Sequence, residues 1–447
     1  MTLSRVTPRL GRWLLWLAAL LLAMPGRASP ADFQIAHYDV RIEPDFAKRA
    51  ITARATLRLI ATTAQASRLA LDAGALQIDS VQENERPVPY RRAEQKLLLS
   101  LPPATHAGQV RELVLSYHGT PTDGLQFSDD GAQVSTAFST SQWMPCQDAP
   151  SQRATLALTL VLPPGMAAVA NGSLEDTQAL PTGKVASRWL LRQPMPSYLF
   201  GFVAGEFRVL SQTSGATTLR FMAPPGFSAD QLRQVFRDSA DMLRFFEARA
   251  GVPYPFADYT QVLLRGAAAQ EMSGFSVMGE RYGQRVLQDA TRLWLGAHEF
   301  SHQWWGNGLT NRSWEHFWLN EGIASFMTAA YLEHRFGASA YQQQIDAARA
   351  KYEALRQAGH DKSLVFANWD APTAEDRSLV YDKGAYVTHL LRQHLGEQAF
   401  WDGLRAYTRQ YWGQSVQTAD FQHAMEQSSG RDLSDFFDRW VYLQSIR

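Results

Sequence analysis

Apolar residues in this chain change their spacing once, and the change divides it into a strand-forming part and a helix-forming part. Ile51, Ala53, Ala55, Leu57 and Leu59 alternate with Thr52, Arg54, Thr56 and Arg58, and Leu156, Leu158, Leu160 and Leu162 repeat the pattern after Ala154. A period of two places one set of side chains on one face of a strand. Turn clusters rich in Pro and Gly separate such runs. Together they predict an antiparallel β-sandwich-like domain over about residues 31–207. From Ser228 the spacing becomes helical. Leu232, Val235, Phe236, Met242, Leu243 and Phe246 share a broad face, Ser228 is placed to cap the first turn, and Gly251 follows the end. Helical patterns then dominate. Phe400, Leu404, Tyr407 and Tyr411 mark one segment, and Phe421 and Met425 mark another beginning at Thr418. The expected class is α+β, in two parts.

With 447 residues, 45% hydrophobic and 19% charged, the chain is long and apolar enough for two or three folded domains. Its first 28 residues read separately. Arg5, Arg9 and Arg12 precede a twelve-residue apolar run, Trp13 to Met24, and then Pro25-Gly26-Arg27-Ala28-Ser29. This is the layout of a signal peptide cut after Ala28, which predicts a secreted or periplasmic protein, with an uncleaved N-terminal anchor as the alternative. The run is too short to span a bilayer comfortably, so no membrane span is expected in the mature chain. The segment carries four Arg and no acid, so its removal changes 43 charges of each sign into 39 basic against 43 acidic. A mildly acidic chain does not suit nucleic acid. Cys146 is the single cysteine and excludes an internal disulfide. Asn171-Gly172-Ser173 and Asn311-Arg312-Ser313 match the N-glycosylation triplet, which has meaning only in a eukaryotic secretory route.

Chemistry concentrates in His298-Glu299-Phe300-Ser301-His302 and in Glu321 beyond it. Residues four apart on a helix share a face, so His298 and His302 can offer two imidazole nitrogens to one ion. Glu321 opens a second apolar-periodic stretch, Ile323, Phe326, Met327, Ala330 and Tyr331, read as an adjacent antiparallel helix. Two His and one carboxylate leave one position of a tetrahedral Zn2+ open. That is the ligand count of a catalytic site, with one zinc per chain. Glu299 is rotated away from the two imidazoles. It can face a water beside the ion, as a general base must.

The runs His298 to Asn307 (H-E-F-S-H-Q-W-W-G-N) and Trp318 to Ala324 (W-L-N-E-G-I-A) resemble the zinc signatures of the aminopeptidase N family of gluzincin peptidases. Val380-Tyr381-Asp382-Lys383-Gly384-Ala385 resembles the family segment whose Tyr stabilises the oxyanion, which implies that role for Tyr381. Met144-Pro145-Cys146-Gln147-Asp148-Ala149-Pro150 is similar to a family segment near its domain junctions, and Cys146 is read as structural. The resemblance implies a thermolysin-like, mainly helical catalytic domain over residues 208–447. It also implies a zinc-dependent aminopeptidase that hydrolyses the N-terminal peptide bond of peptides. The large helical domain that follows in most members has no counterpart before Arg447. The implied cleft is therefore open to longer peptides, or covered by a second copy in a homo-oligomer.

An aminopeptidase needs a carboxylate for the substrate α-ammonium, and a charge-assisted hydrogen bond provides the hold. The family places it in a G-A-M-E-N run on an edge strand. The aligned residues here are Ala268, Ala269, Gln270, Glu271 and Met272, which keep the Glu and change three neighbours. Glu271 is thus the expected amine anchor, with Ala268, Ala269 and Gln270 beside the substrate. Seven residues after Glu321, where many relatives carry an acid, stands Thr328. Another group is then needed to orient a zinc-binding imidazole. Two rivals remain at the level of sequence: a zinc endopeptidase on the same constellation, and a catalytically silent binding or assembly protein with this fold.

Overall fold

A computed structural model describes residues 31–266, 269–367, 369 and 372–443. The expected signal peptide, residues 1–28, and Ala268 lie outside the described residues. Among those described, no helix is long and apolar enough to cross a membrane.

The first half is built on an eight-stranded sheet. Its order is Ser173–Ala179, Val185–Pro196, Arg153–Leu162, Phe33–Asp45, Ala50–Ala61, Val110–Gly119, Gln77–Glu83 and Arg86–Pro87. In Ala50–Ala61 the alternation has the expected result, with Ile51, Ala55, Leu57 and Leu59 buried and Thr52, Arg54 and Arg58 exposed. A one-residue slip would turn that whole set toward water, so burial fixes the register. A four-stranded sheet, Ala167–Ala170, Phe202–Gly205, Gln133–Thr136 and Leu125–Phe127, and a three-stranded one share its core. Leu57, Leu71, Leu97, Leu115, Trp143 and Phe202 meet there.

The large sheet departs from a purely antiparallel sandwich in one place. Phe33–Asp45 and Arg153–Leu162 run parallel, with His37 opposite Thr155 and Ile42 opposite Leu160. A hairpin forces antiparallel pairing, but these strands are separated by a long excursion through other strands, so either direction is open to them. Arg153–Leu162 is also covered on both faces. Ala157 and Val161, between the expected core leucines, are buried too. Cys146 is buried and free, and its backbone bridges to Asp72. Asn171 and Asn311 are 0% and 1% exposed, so neither triplet can carry a glycan in the folded chain.

A new sheet opens at Arg208–Ser214. It continues through Thr217–Ala223, Asp258–Leu264 and Phe275–Gly279 to the two-residue edge strand Ala269–Gln270. Ser228 caps the first helix as expected. Its hydroxyl accepts from Gln231 N at 3.1 Å while the Gln231 side chain accepts from Ser228 N at 2.8 Å. The helical run is broken, however, into Ala229–Val235 and Ser239–Ala250. Packing against the sheet overrides continuity here: Phe236 stacks on Phe221 at 4.8 Å, and the Ser239 hydroxyl binds Gln261 of strand Asp258–Leu264. Gly251 ends the second helix with φ +65°, a left-handed cap that glycine adopts without steric cost. Helix Trp294–Ser301 stands against this sheet, helix Trp318–Phe336 packs on that helix, and the two carry the site.

Candidate metal centre and substrate cleft

His298 lies in the last turns of helix Trp294–Ser301 and His302 is its C-cap residue; both are on the side facing helix Trp318–Phe336 and are buried. The other side is anchored by Phe300, whose ring stacks on Tyr259 at 4.2 Å. Glu321 sits in the first turn of its helix, where unpaired backbone N–H groups favour a negative charge. Three donor atoms converge. His298 Nε2 is 3.0 Å from His302 Nε2 and 3.2 Å from a Glu321 carboxylate oxygen, and His302 Nε2 is 3.4 Å from that oxygen. Ligands at about 2.0–2.1 Å around a tetrahedral zinc stand about 3.3 Å apart, so this triangle has the size that zinc requires. His302 Nδ1 lies 3.0 Å from the Trp305 carbonyl oxygen. That contact, with the Nδ1 proton shared to the carbonyl, orients the ring so that Nε2 is the nitrogen facing the centre.

The charges agree with the distances. Burial lowers the pKa of His302, but the fields of Glu271 and Glu321, a hydrogen bond to Glu321 and the field of Glu299 outweigh it and push the value up to about 10. Burial raises that of Glu321, yet the charge of His302 and hydrogen bonds from both imidazoles hold it down at about 2. Glu299 is pushed well above the usual carboxylate range, first by burial and further by Glu271 and Glu321, against the lowering effect of His302. Its Oε2 is buried with no hydrogen-bond partner among the described residues. Three buried carboxylates thus face two imidazoles, an arrangement that costs several kcal/mol unless a positive charge joins them. A divalent cation held by His298, His302 and Glu321 would supply that charge.

Glu271 follows the edge strand directly and is buried. Gln270 Nε2 donates to one of its oxygens at 2.8 Å, and Asn320 Nδ2 donates to the other at 3.2 Å. The replacements around Glu271 therefore have partners. Gln270 holds the carboxylate from behind, and Met272 is an apolar core residue packed with Phe275 and Val277. The loop is clamped to the zinc-binding segment by Gln303, which donates to Met272 O at 3.0 Å and accepts from Gly274 N at 3.0 Å, and by Asn307, which donates to Met272 O at 3.2 Å. Gly274 has φ +89°, and a Cβ there would meet nothing closer than 3.8 Å, so backbone conformation is what calls for glycine there. Thr328 does not replace the missing acid, because its hydroxyl donates to Ala324 O of its own helix. For His302, the carbonyl of Trp305 does the orienting.

Tyr381 lies in a π-helical turn, Leu379–Lys383, a local widening common at functional sites. Its ring lies 5.9 Å from that of His298 and within 23° of parallel. Burial, the fields of Glu321 and Glu271 and a hydrogen bond to Glu321 raise its pKa far above the usual phenol range, so the hydroxyl keeps its proton. Two glycines allow this approach. A Cβ on Gly322 would meet Gly384 Cα at 2.8 Å, so the helices bearing Glu321 and following Tyr381 cross almost backbone to backbone.

These groups open onto one cavity of about 740 Å³. His298, Glu299, His302, Glu321, Glu271 and Tyr381 all line it, and so does Ala269. Gln270 stands behind Glu271 outside the lining. The cavity also includes Phe138 from the first half of the chain, at φ +47° and 37% exposed. No local pattern in the sequence signals Phe138. Gln303, Asn307 and Asn320 lay inside the quoted motifs, and their signal was a polar amide in an otherwise apolar, buried run.

A mixed sheet flanked by helices that offer two imidazoles and a carboxylate to one ion, with a further carboxylate poised beside them, defines a zinc metallopeptidase fold. The chain belongs to peptidase family M1: the family profile for the Peptidase M1 N-terminal domain matches residues 34–199, and that for the Peptidase family M1 domain matches residues 235–440. It is 25% identical to an alanine/arginine aminopeptidase of Saccharomyces cerevisiae over 91% of this chain and 51% of that protein. It is 28% identical to aminopeptidase M1 of Arabidopsis thaliana over 66% of this chain and 35% of that protein. The chain spans about half the length, or less, of these curated relatives. Among solved structures it resembles an M1 zinc metallopeptidase from Deinococcus radiodurans, with a TM-score of 0.78 and 23% identity over 93% of this chain and 95% of that one. A mutant form of that enzyme, described as bound to a Tyr-Ser-Ala substrate, matches equally well, with a TM-score of 0.78 and 23% identity over 93% of this chain and 96% of that one.

Proposed function

We propose that this chain is a zinc aminopeptidase that releases single residues from the N-terminus of peptides. The observation that carries the reading is the place of Glu271. One of its oxygens lies within 4.8 Å of a His302 ring nitrogen and of a Glu299 oxygen. In any peptide only two bonds separate the terminal amine from the carbonyl carbon of its own residue. An amine held at Glu271 therefore brings the first carbonyl, and no later one, to the metal centre. A residue further upstream would press its acyl group against a buried carboxylate.

His298, His302 and Glu321 would hold the zinc, which would supply a Lewis acid for the scissile carbonyl and for the attacking water. Glu299 accepts the proton of the attacking water and passes one to the departing amine. Tyr381 donates its hydroxyl hydrogen to the carbonyl oxygen as negative charge develops there. Glu271, fixed by Gln270 and Asn320, accepts hydrogen bonds from the substrate α-ammonium.

Free and N-acetylated forms of one peptide test the reading. The free form is expected to lose its first residue while the acetylated form stays intact. Equal cleavage of both would make the chain an endopeptidase. Glu271→Gln is expected to raise KM for peptides about 10- to 50-fold, the worth of a hydrogen bond to a charged group. Thermal melting close to wild type would show that the site remains folded. An unchanged KM would remove Glu271 from amine binding.

A further inference from the structure

The catalytic cavity does not end at the edge strand. A second recess of about 760 Å³ adjoins it, and Ala269, Trp294, Leu295 and Gln344 line both. Trp294 is 48% exposed and lies on the shared boundary. Beyond it, the lining turns basic, with Arg281 and Arg285 from helix Glu280–Gln288 and Arg292 from the turn that follows. Asp289 also lines the recess and pairs with Arg292 at 3.3 Å. Arg281 and Arg285 have no carboxylate partner among the described residues. Four positions apart on one helix, they repel each other.

The edge strand gives the direction. Among the described residues, Ala269–Gln270 is the last strand of its sheet and pairs on one side, with Phe275–Gly279. A peptide paired along the free side with its amine at Glu271 must run antiparallel to the strand, toward Ala269. Its later residues are thereby led past Trp294 into the basic recess. We infer that this recess holds the peptide downstream of the scissile bond and that Arg281 and Arg285 select a carboxylate there. The carboxylate comes from the C-terminus of a short peptide or from an acidic side chain of a longer one. The inference rests on the aminopeptidase reading.

The test uses the full zinc-loaded chain and an aminoacyl nitroanilide, which has nothing downstream, beside alanine-based peptides of increasing length. Each peptide is offered with a free C-terminus, an amidated one, or an amidated one carrying a single Asp moved along the sequence. Wild type is expected to favour a carboxylate at one downstream distance by about three- to tenfold in kcat/KM, the range of exposed charge pairs, and less in high salt. In the double variant Arg281→Ala, Arg285→Ala the ratio of acidic to neutral peptide should fall to about one. In Arg281→Glu, Arg285→Glu it should invert toward Lys. Preference confined to free C-termini identifies the main-chain carboxylate, and preference for internal Asp identifies the side chain. A flat wild-type profile, or a preference that survives both variants, overturns the inference while leaving the aminopeptidase reading intact. Failure to cleave the nitroanilide and every free peptide would strike the reading itself.

Discussion

Exchange of Glu299 for glutamine is expected to leave one zinc bound per chain and to lower kcat by about 10³-fold or more, within the range that a positioned general base contributes. Glutamine keeps the shape of the side chain but cannot accept the proton of the attacking water. The ligand triangle of His298, His302 and Glu321 does not include Glu299, so metal content should not change. The buried oxygen of Glu299 that lacks a partner is free of structural duty, which argues against a large loss of stability. Metal analysis and turnover of a chromogenic aminoacyl substrate measure the two quantities. Turnover within tenfold of wild type would take Glu299 out of the mechanism, and loss of zinc would make it a ligand.

Tyr381→Phe is expected to reduce kcat by about 10²- to 10³-fold with little change in KM, the effect of deleting one donor to a developing oxyanion. Phenylalanine retains the ring that faces His298 at 5.9 Å, so packing around the metal site is preserved. Only the hydroxyl is lost. Its proton is held firmly, since burial and the neighbouring carboxylates keep its pKa high, and it can donate throughout the neutral range. Steady-state kinetics on a free peptide separate the two parameters. A rise in KM at constant kcat would assign Tyr381 to ground-state binding instead.

Sequence spacing was most informative where the determining forces are local. The alternation from Ile51 to Leu59, the cap at Ser228 and the one-turn separation of His298 and His302 depend on residues a few positions apart, and each appears in the structure as its period requires. Glu321 was legible because its helix has its own apolar period. What stayed hidden depends on pairs far apart in the chain. The parallel register of His37 with Thr155 has no local signature, and the break at Phe236 reflects a ring on Phe221 and a sheet beneath it. Gly322 and Gly384 were visible as letters, but their contact was not. The altered residues around Glu271 looked like losses when read one at a time. In three dimensions Gln270 is a hydrogen-bond donor to that carboxylate, and Met272 is part of a core.

Asn171, first noticed as a sugar-attachment triplet, joins the two halves of the molecule. Its amide donates to Leu199 O at 2.8 Å and to Ser273 O at 2.9 Å, and its carbonyl oxygen accepts from Gly201 N at 2.6 Å. One buried side chain from the strand-rich half thus pins the loop that presents Glu271. The peptidase half is therefore not a portable cassette. A chimera that joins it to the strand-rich half of a relative would inherit the metal ligands intact and could still misplace the substrate amine, unless the graft carries this amide and the backbone turn it fastens.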